Sequence, residues 1–177
     1  MAYATVTEFN TYIRDDNPDT SDAAIAQKQE WLDAASADID AYLGYSIEEN
    51  DYVESLSGYG LNHIGLSAKP ITVVTSVTID DVAVSLDEIT IEGSFIIYTE
   101  IFPRGNRNVH VEYTAGYAEI PAPIKLVCKT LADLYRVAAQ STGVSSVSDP
   151  RFGSRTYSQT DQKRALRGID QYRLLRL

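Results

Sequence analysis

Residues 108–136, NVHVEYTAGYAEIPAPIKLVCKTLADLYR, constrain the fold more than any other stretch of the chain. Val109, Val111 and Tyr113 alternate with His110, Glu112 and Thr114, the period of two that belongs to a strand with one face buried and the other wet. Ala115-Gly116-Tyr117 ends that strand, because glycine reaches backbone angles that stop a ladder, and Pro121 and Pro123 then supply the fixed φ suited to a first helical turn. Ile124, Val127, Cys128, Leu131, Leu134, Tyr135 and Ala138 recur at steps of three and four. That spacing predicts a helix whose apolar residues share one core-facing side.

The same logic runs along the rest of the chain. Thr5-Val6-Thr7-Glu8 has the spacing of a capping box and predicts a short helix ending near Ile13. The acidic, turn-rich link RDDNPDTSD follows, in which Thr20, Ser21 or Asp22 can cap a longer helix that Gly44 stops after Leu43. On that helix Ile25, Leu32, Ala35, Ile39, Tyr42 and Leu43 form a stripe bordered by Trp31, and Glu30, Asp33, Asp38 and Asp40 lie mostly away from it. Residues 44–62 show no sustained period and read as an irregular crossing. From His63 to Tyr113 the composition shifts to Val, Ile, Thr and Tyr with breaks at Lys69-Pro70, Asp80-Asp81, Gly93-Ser94 and Arg104-Gly105-Asn106, which predicts about five or six short antiparallel strands with a hairpin tip at Asp80-Asp81.

Residues 143–160 are the longest stretch of low hydrophobicity and read as a flexible, functional loop, one that could order against a neighbouring subunit. Residues 161–177, DQKRALRGIDQYRLLRL, place Ala165, Leu166, Ile169, Tyr172 and Leu175 near one face, with Lys163, Arg164, Arg167, Arg173 and Arg176 around the rest. This is a basic amphipathic helix. It can pack on its own domain or dock its apolar face into another protein. The expected fold class is therefore α+β, a helical body of about four helices carrying an inserted antiparallel sheet. At 177 residues the expectation is a single domain. Its parts are N-terminal helices at 1–43, a crossing and β insertion at 44–113, a core helix at 121–142, then the loop and the basic helix.

Chemistry has few footholds. The lone cysteine, Cys128, lies on an apolar helix face, where it fills core and forms neither an internal disulfide nor a metal cluster. His63 and His110 are the only histidines, and no nucleophile or phosphate-cradling motif is present. Asp15, Asn17 and Asp19 imitate the start of a calcium loop, yet Thr20 replaces its glycine and Ala26 stands where the bidentate Glu belongs. No cofactor, metal site or catalytic residue is expected. No apolar run reaches the ~20 residues that cross a bilayer, and MAYATVTEFN has no signal-peptide pattern, so neither export nor membrane insertion is expected.

A late strand ending in Tyr-Thr-Ala-Gly-Tyr, then Ile-Pro, then IKLVCKTLADLY, a polar loop and a short basic terminal helix, resembles the head-tail connector (adaptor) proteins of tailed bacteriophages. The resemblance spans most of the chain and is strongest from Val109 to Tyr135. It implies a non-enzymatic structural protein of the virion neck, assembled in the host cytoplasm, whose copies form a dodecameric ring under the portal protein. The carboxy-terminal segment would reach the portal, which assigns a portal interface to Leu166, Ile169, Tyr172, Leu175, Lys163, Arg164, Arg167, Arg173 and Arg176. The loop, through Arg151, Phe152, Arg155 and Tyr157, would meet a tail-side stopper or tail protein or the next subunit.

Charge is unevenly spread. Residues 1–54 carry net −11, residues 55–119 net −5 and residues 120–177 net +6. The acidic front and basic rear are either ordinary solvated faces or surfaces that attract each other across copies. The acidity does not suit sequence-specific DNA reading. A carboxylate-lined wall that repels phosphates does suit a conduit through which DNA slides. Two other readings remain open: a soluble β-rich module holding a small ligand or carbohydrate through Tyr45, Tyr52, Tyr59 and Tyr98, and a neighbouring head-completion or tail-terminator role.

Overall fold

The computed structural model describes residues 2–140, 146–149, 153–156 and 159–173, with residues 146–149, 153–156 and 159–160 described by backbone alone. In chain order the elements are α1 (Val6–Ile13), α2 (Asp22–Leu43), β1 (Asn50–Leu56), β2 (His63–Gly65), β3 (Ile71–Ile79), β4 (Val82–Ala83), β5 (Ile89–Glu92), β6 (Phe95–Tyr98), β7 (Val109–Ala115), α3 (Ala122–Gln140), β8 (Ser146–Asp149), β9 (Gly153–Thr156) and α4 (Gln159–Arg167). They form two compact units, a helical one from residues 1–43 and 120–173, and a β unit from residues 44–119. The α+β architecture and the sheet inserted between helical segments match the sequence reading.

In the helical unit, local chemistry sets where each helix begins. Glu8 N–H donates to Thr5 Oγ1 at 3.2 Å and Thr5 N–H to Glu8 Oε2 at 2.8 Å, so the expected capping box is formed. The bond from the Thr5 amide, with the nearby Lys125 ammonium, holds the Glu8 carboxyl below its ordinary range. Ser21 supplies the cap of α2, accepting from Ala24 N–H at 3.3 Å. α2 packs against α3, and α1 touches both. Leu32, Ala35, Ile39 and Leu43 of α2 are buried, as are Ile124, Val127, Cys128, Leu131 and Ala132 of α3, and Phe9 of α1 is fully enclosed. Five members of the expected stripes fall outside this core: Ile25 is 41% exposed, Ala138 is exposed, and Tyr42, Leu134 and Tyr135 are half-buried.

The β unit holds two antiparallel sheets, with strand orders β1-β7-β3-β4 and β2-β6-β5. On β7 the alternation is as expected: Val109, Val111, Tyr113 and Ala115 are buried while Glu112 is exposed. Gly116 ends the strand at φ +115°, and a Cβ there would stand 2.5 Å from the Glu48 carbonyl oxygen, so no other residue fits. Asp80 and Asp81, both at positive φ, form the β3–β4 hairpin tip. One expectation needs correction. Residues 44–62 are not simply irregular, because β1 pairs over its whole length with β7, and Tyr52 stacks on its opposite number Tyr113 at 5.3 Å. Asn50, Asp51 and Glu54 disfavour strands by composition; pairing with a buried central strand overrides that preference. From His63 onward the insertion has six strands, β2 to β7, in line with the five or six expected there, and β1 adds a seventh.

Two further boundaries shift. Residues 153–156 and 146–149 pair as the β8–β9 hairpin within the stretch read as loop. The basic helix expected over 161–177 is α4, which begins at Gln159 and stops at Arg167.

Candidate functional site

The surface with the most features unexplained by folding alone is the one built around α4. Gly168 terminates that helix, its N–H bonding back to the Ala165 carbonyl at 3.1 Å, and a single 3-10 turn over Asp170–Tyr172 follows. A Cβ at Gly168 would lie 3.2 Å from the Ala165 oxygen, a tight contact, and 3.9 Å from a Val127 methyl, an ordinary packing distance that places the turn against α3.

That turn delivers Ile169, which is fully buried in the helical unit. The expectation that Ile169 belongs to a presented apolar face is therefore corrected: its side chain is used by its own body. Tyr42 of α2 fastens the same turn, donating its hydroxyl to the Asp170 carboxylate, while the Arg173 guanidinium lies 4.9 Å over the Tyr42 ring. The bond to Asp170 pushes the Tyr42 hydroxyl pKa up.

The remaining members of the set divide cleanly. Lys163, Arg164, Arg167 and Arg173 are exposed, Leu166 and Tyr172 half-buried. Beneath α4 lies a cavity of about 360 Å³ lined by Asp38, Ala41, Tyr42, Gln162, Lys163 and Leu166. Leu175 and Arg176 lie outside the described residues, as do Arg151, Phe152 and Tyr157, and Arg155 is described by its backbone in β9 alone. α4 thus rests on the body while three cations of its outer face point to solvent.

Several of the acidic residues prominent in the sequence are engaged internally. Asp38 accepts from the Tyr135 hydroxyl and Asp40 from the Tyr3 hydroxyl. Glu8 pairs with Lys125 at 3.5 Å and Asp15 with Lys28 at 3.2 Å. Burial and the bond to Asp38 push the Tyr135 hydroxyl up to about 12. Glu54 plays the same part in the β unit, accepting from Tyr113. Sequence reasoning missed these tyrosine–carboxylate pairs, and also missed the buried Ser36, which donates to the Leu32 carbonyl at 2.8 Å and accepts from Tyr3 N–H at 3.0 Å. Apart from the i→i−4 bond of Ser36 to Leu32, the partners stand 33 to 128 positions apart, and no local pattern links them.

The ligand-module reading loses most of its residues. Tyr45 is buried, Tyr52 is stacked on Tyr113, and Tyr98 packs on Phe102 at 5.4 Å, which leaves only Tyr59 well exposed. Cys128 is fully enclosed, its thiol pushed up by burial. Ser55 and His110 Nδ1 share a hydrogen bond of 2.8 Å. Among the described residues no group of three or more His, Cys, Asp or Glu side chains could hold a metal ion, and no helix is long and apolar enough to cross a membrane.

Solved structures share this fold. A chain from the neck of an empty gene transfer agent particle, computed with C6 symmetry, superposes with a TM-score of 0.64 at 19% identity, over 97% of this chain and 90% of that one. The neck of the native particle, computed with C12 symmetry, gives 0.57 at 16% identity over 97% and 91%. The virion of the native particle gives 0.61 at 18% over 97% and 90%. No curated protein matches the chain. The sequence profile described as Head completion protein matches residues 2–146, which takes in the β unit with its two sheets and, of the helical unit, all of α1, α2 and α3. This chain belongs to the head completion protein family.

Proposed function

We propose that this protein is a head-tail connector of the virion neck, a non-enzymatic subunit that assembles as a ring between the portal and the tail-side proteins and surrounds the path of DNA. The family match over residues 2–146 carries the reading. The likeness to neck chains from particles treated with sixfold and twelvefold symmetry supports a ring of such a subunit. Its mechanism is geometric: a preassembled body offers charged and apolar surfaces to successive neighbours. The β unit, with 12 Asp plus Glu against 3 Lys plus Arg over residues 44–119, is a surface that phosphates leave readily.

α4 is the element proposed to meet the portal, through Lys163, Arg164 and Arg167 with Leu166 at its edge, extended by Tyr172, Arg173, Leu175 and Arg176. Removing residues 161–177 is a poor test, because Ile169 belongs to the body's own core. Reversing charge at Lys163, Arg164 and Arg167, each to Glu, leaves that core intact. The triple variant should keep the wild-type circular dichroism and thermal melt while losing capture by the portal protein of the same particle. Portal capture at the wild-type level would overturn the assignment of α4. Capture by a tail-side protein alone would favour the tail-terminator role.

A further inference from the structure

Two of the three cations in the β unit, Arg104 and Arg107, sit on one loop. Both are exposed, whereas the third, Lys69, is half-buried, and burial lowers its pKa. The loop adjoins the segment 58–62: Gly105 N–H donates to the Gly58 carbonyl at 3.1 Å, Gly60 N–H to Phe102 at 3.0 Å and Phe102 N–H to Leu61 at 2.8 Å. This pairing gathers Tyr59, 71% exposed, Leu61, 49%, and Ile101, 59%, around a buried Phe102. The Arg104 side chain lies over Gly60, between Tyr59 and Leu61. Tyrosine and arginine are the residues enriched at interface centres, and large apolar side chains gathered in water mark a surface that something covers.

The chain itself carries a surface of the opposite sign. Ala23, Ala26, Glu30, Ala34 and Ala37 are exposed on the side of α2 opposite its buried stripe, with Asp33 at the margin. The two carboxylates stand among side chains too short to hold a partner away.

We propose that the Tyr59–Leu61–Ile101 patch, with Arg104 and Arg107, docks on the Glu30–Asp33 face of α2 of a second copy. This rests on the ring reading above and deepens it by naming the surfaces that meet. A β surface on a helical surface is a heterologous contact, the kind that builds a ring when its repeated rotation closes. DNA is the poorer occupant, since two cations stand in a unit of net −9 and phosphates would leave Leu61 and Ile101 in water.

The test is a charge exchange between two full-length variants, Arg104→Glu/Arg107→Glu and Glu30→Arg/Asp33→Arg, each checked for a wild-type melt. Self-association is followed by sedimentation velocity and by negative-stain imaging, alone and on the portal. Each variant alone faces like charge with like charge and should associate on the order of tenfold more weakly than wild type; mixed one to one, the variants restore opposite charges at every contact of an alternating ring and should recover to within about threefold. Wild-type association by either variant alone, or no recovery on mixing, overturns the proposal. So does a wild-type chain that stays monomeric both alone and on the portal, or an Arg104→Glu/Arg107→Glu variant whose only loss is affinity for DNA. Portal capture by the Lys163→Glu/Arg164→Glu/Arg167→Glu variant reads α4 separately: wild-type capture by that variant, with recovery on mixing intact, would sink the α4 assignment and keep this one.

Discussion

α3 and α4 have the same signature in the sequence, an apolar stripe with cations around it, and opposite situations in the fold. α3, with 19 residues, is clasped by α2 along five buried side chains. α4, with nine, offers its body a half-buried Leu166 over a cavity, and its firm anchor, Ile169, lies beyond its own last turn. A helix of fewer than about 12 residues is marginal without tertiary support. The support for α4 comes from Ile169 and from the Tyr42–Asp170–Arg173 contact at its end. Periodicity therefore tells which residues share a face, and leaves open what covers that face.

The strongest way to break the comparison is to truncate both faces. Leu131→Ala, fully enclosed in α3, should cost about 2–5 kcal/mol in urea-denaturation stability, whereas Leu166→Ala should cost less than about 1 kcal/mol because its site is already open. Equal losses would mean that α4 is as integral to the body as α3.

Ile169→Ala ranks next. Its site can partly collapse at the end of the chain's last described turn, so the loss should fall near the low end of the same range, about 2 kcal/mol. Hydrogen exchange should show the release concentrated in residues 159–173 with α3 still protected. Loss of protection across α2 and α3 together would merge the two regions into one cooperative unit.

Tyr135→Phe tests α3 from its rim, where the hydroxyl is bonded to Asp38 of α2. The half-exposed pair should contribute about 1 kcal/mol. Its pKa is raised in the fold from an ordinary 10.0 to about 12, so folding favours the neutral phenol. That stability is fully present below pH 10 and is lost as pH rises towards 12. The variant should lack this alkaline decline, measured by denaturant midpoint against pH. An unchanged decline would assign it to other tyrosines, Tyr42 and Tyr113 among them, whose pKa values are also raised.

What could be read from the sequence was local. The Thr5–Glu8 box, the Gly116 stop, the Asp80-Asp81 tip and the face of α3 each depend on neighbours within a turn or a strand, and each is where its residues placed it. What could not be read was set at long range. β1 exists because β7 lies beside it, Asp38 and Asp40 turn inward because Tyr135 and Tyr3 reach them, and the last helix gives way at Gly168 to a turn that buries Ile169. The candidate surface shows the same division: the cations of α4 were legible as an exposed set, and the burial of Ile169 was not.

The smallest stability effect sharpens the comparison most. Arg164 is exposed on α4 and takes part in none of the contacts that seat the helix. Arg164→Ala should leave unfolding free energy within about 0.5 kcal/mol of wild type, as expected of an exposed surface site. If α4 is an interface element, the same substitution should weaken portal capture on the order of tenfold, since interface arginines are over-represented among residues that dominate binding. Lys125→Ala supplies the matching control on α3, a half-buried cation paired with Glu8 at 3.5 Å. It should cost up to about 1 kcal/mol of stability and leave portal capture unchanged. A reversed outcome, with stability lost at Arg164 and portal affinity lost at Lys125, would transfer the docking role from α4 to the face shared by α1 and α3.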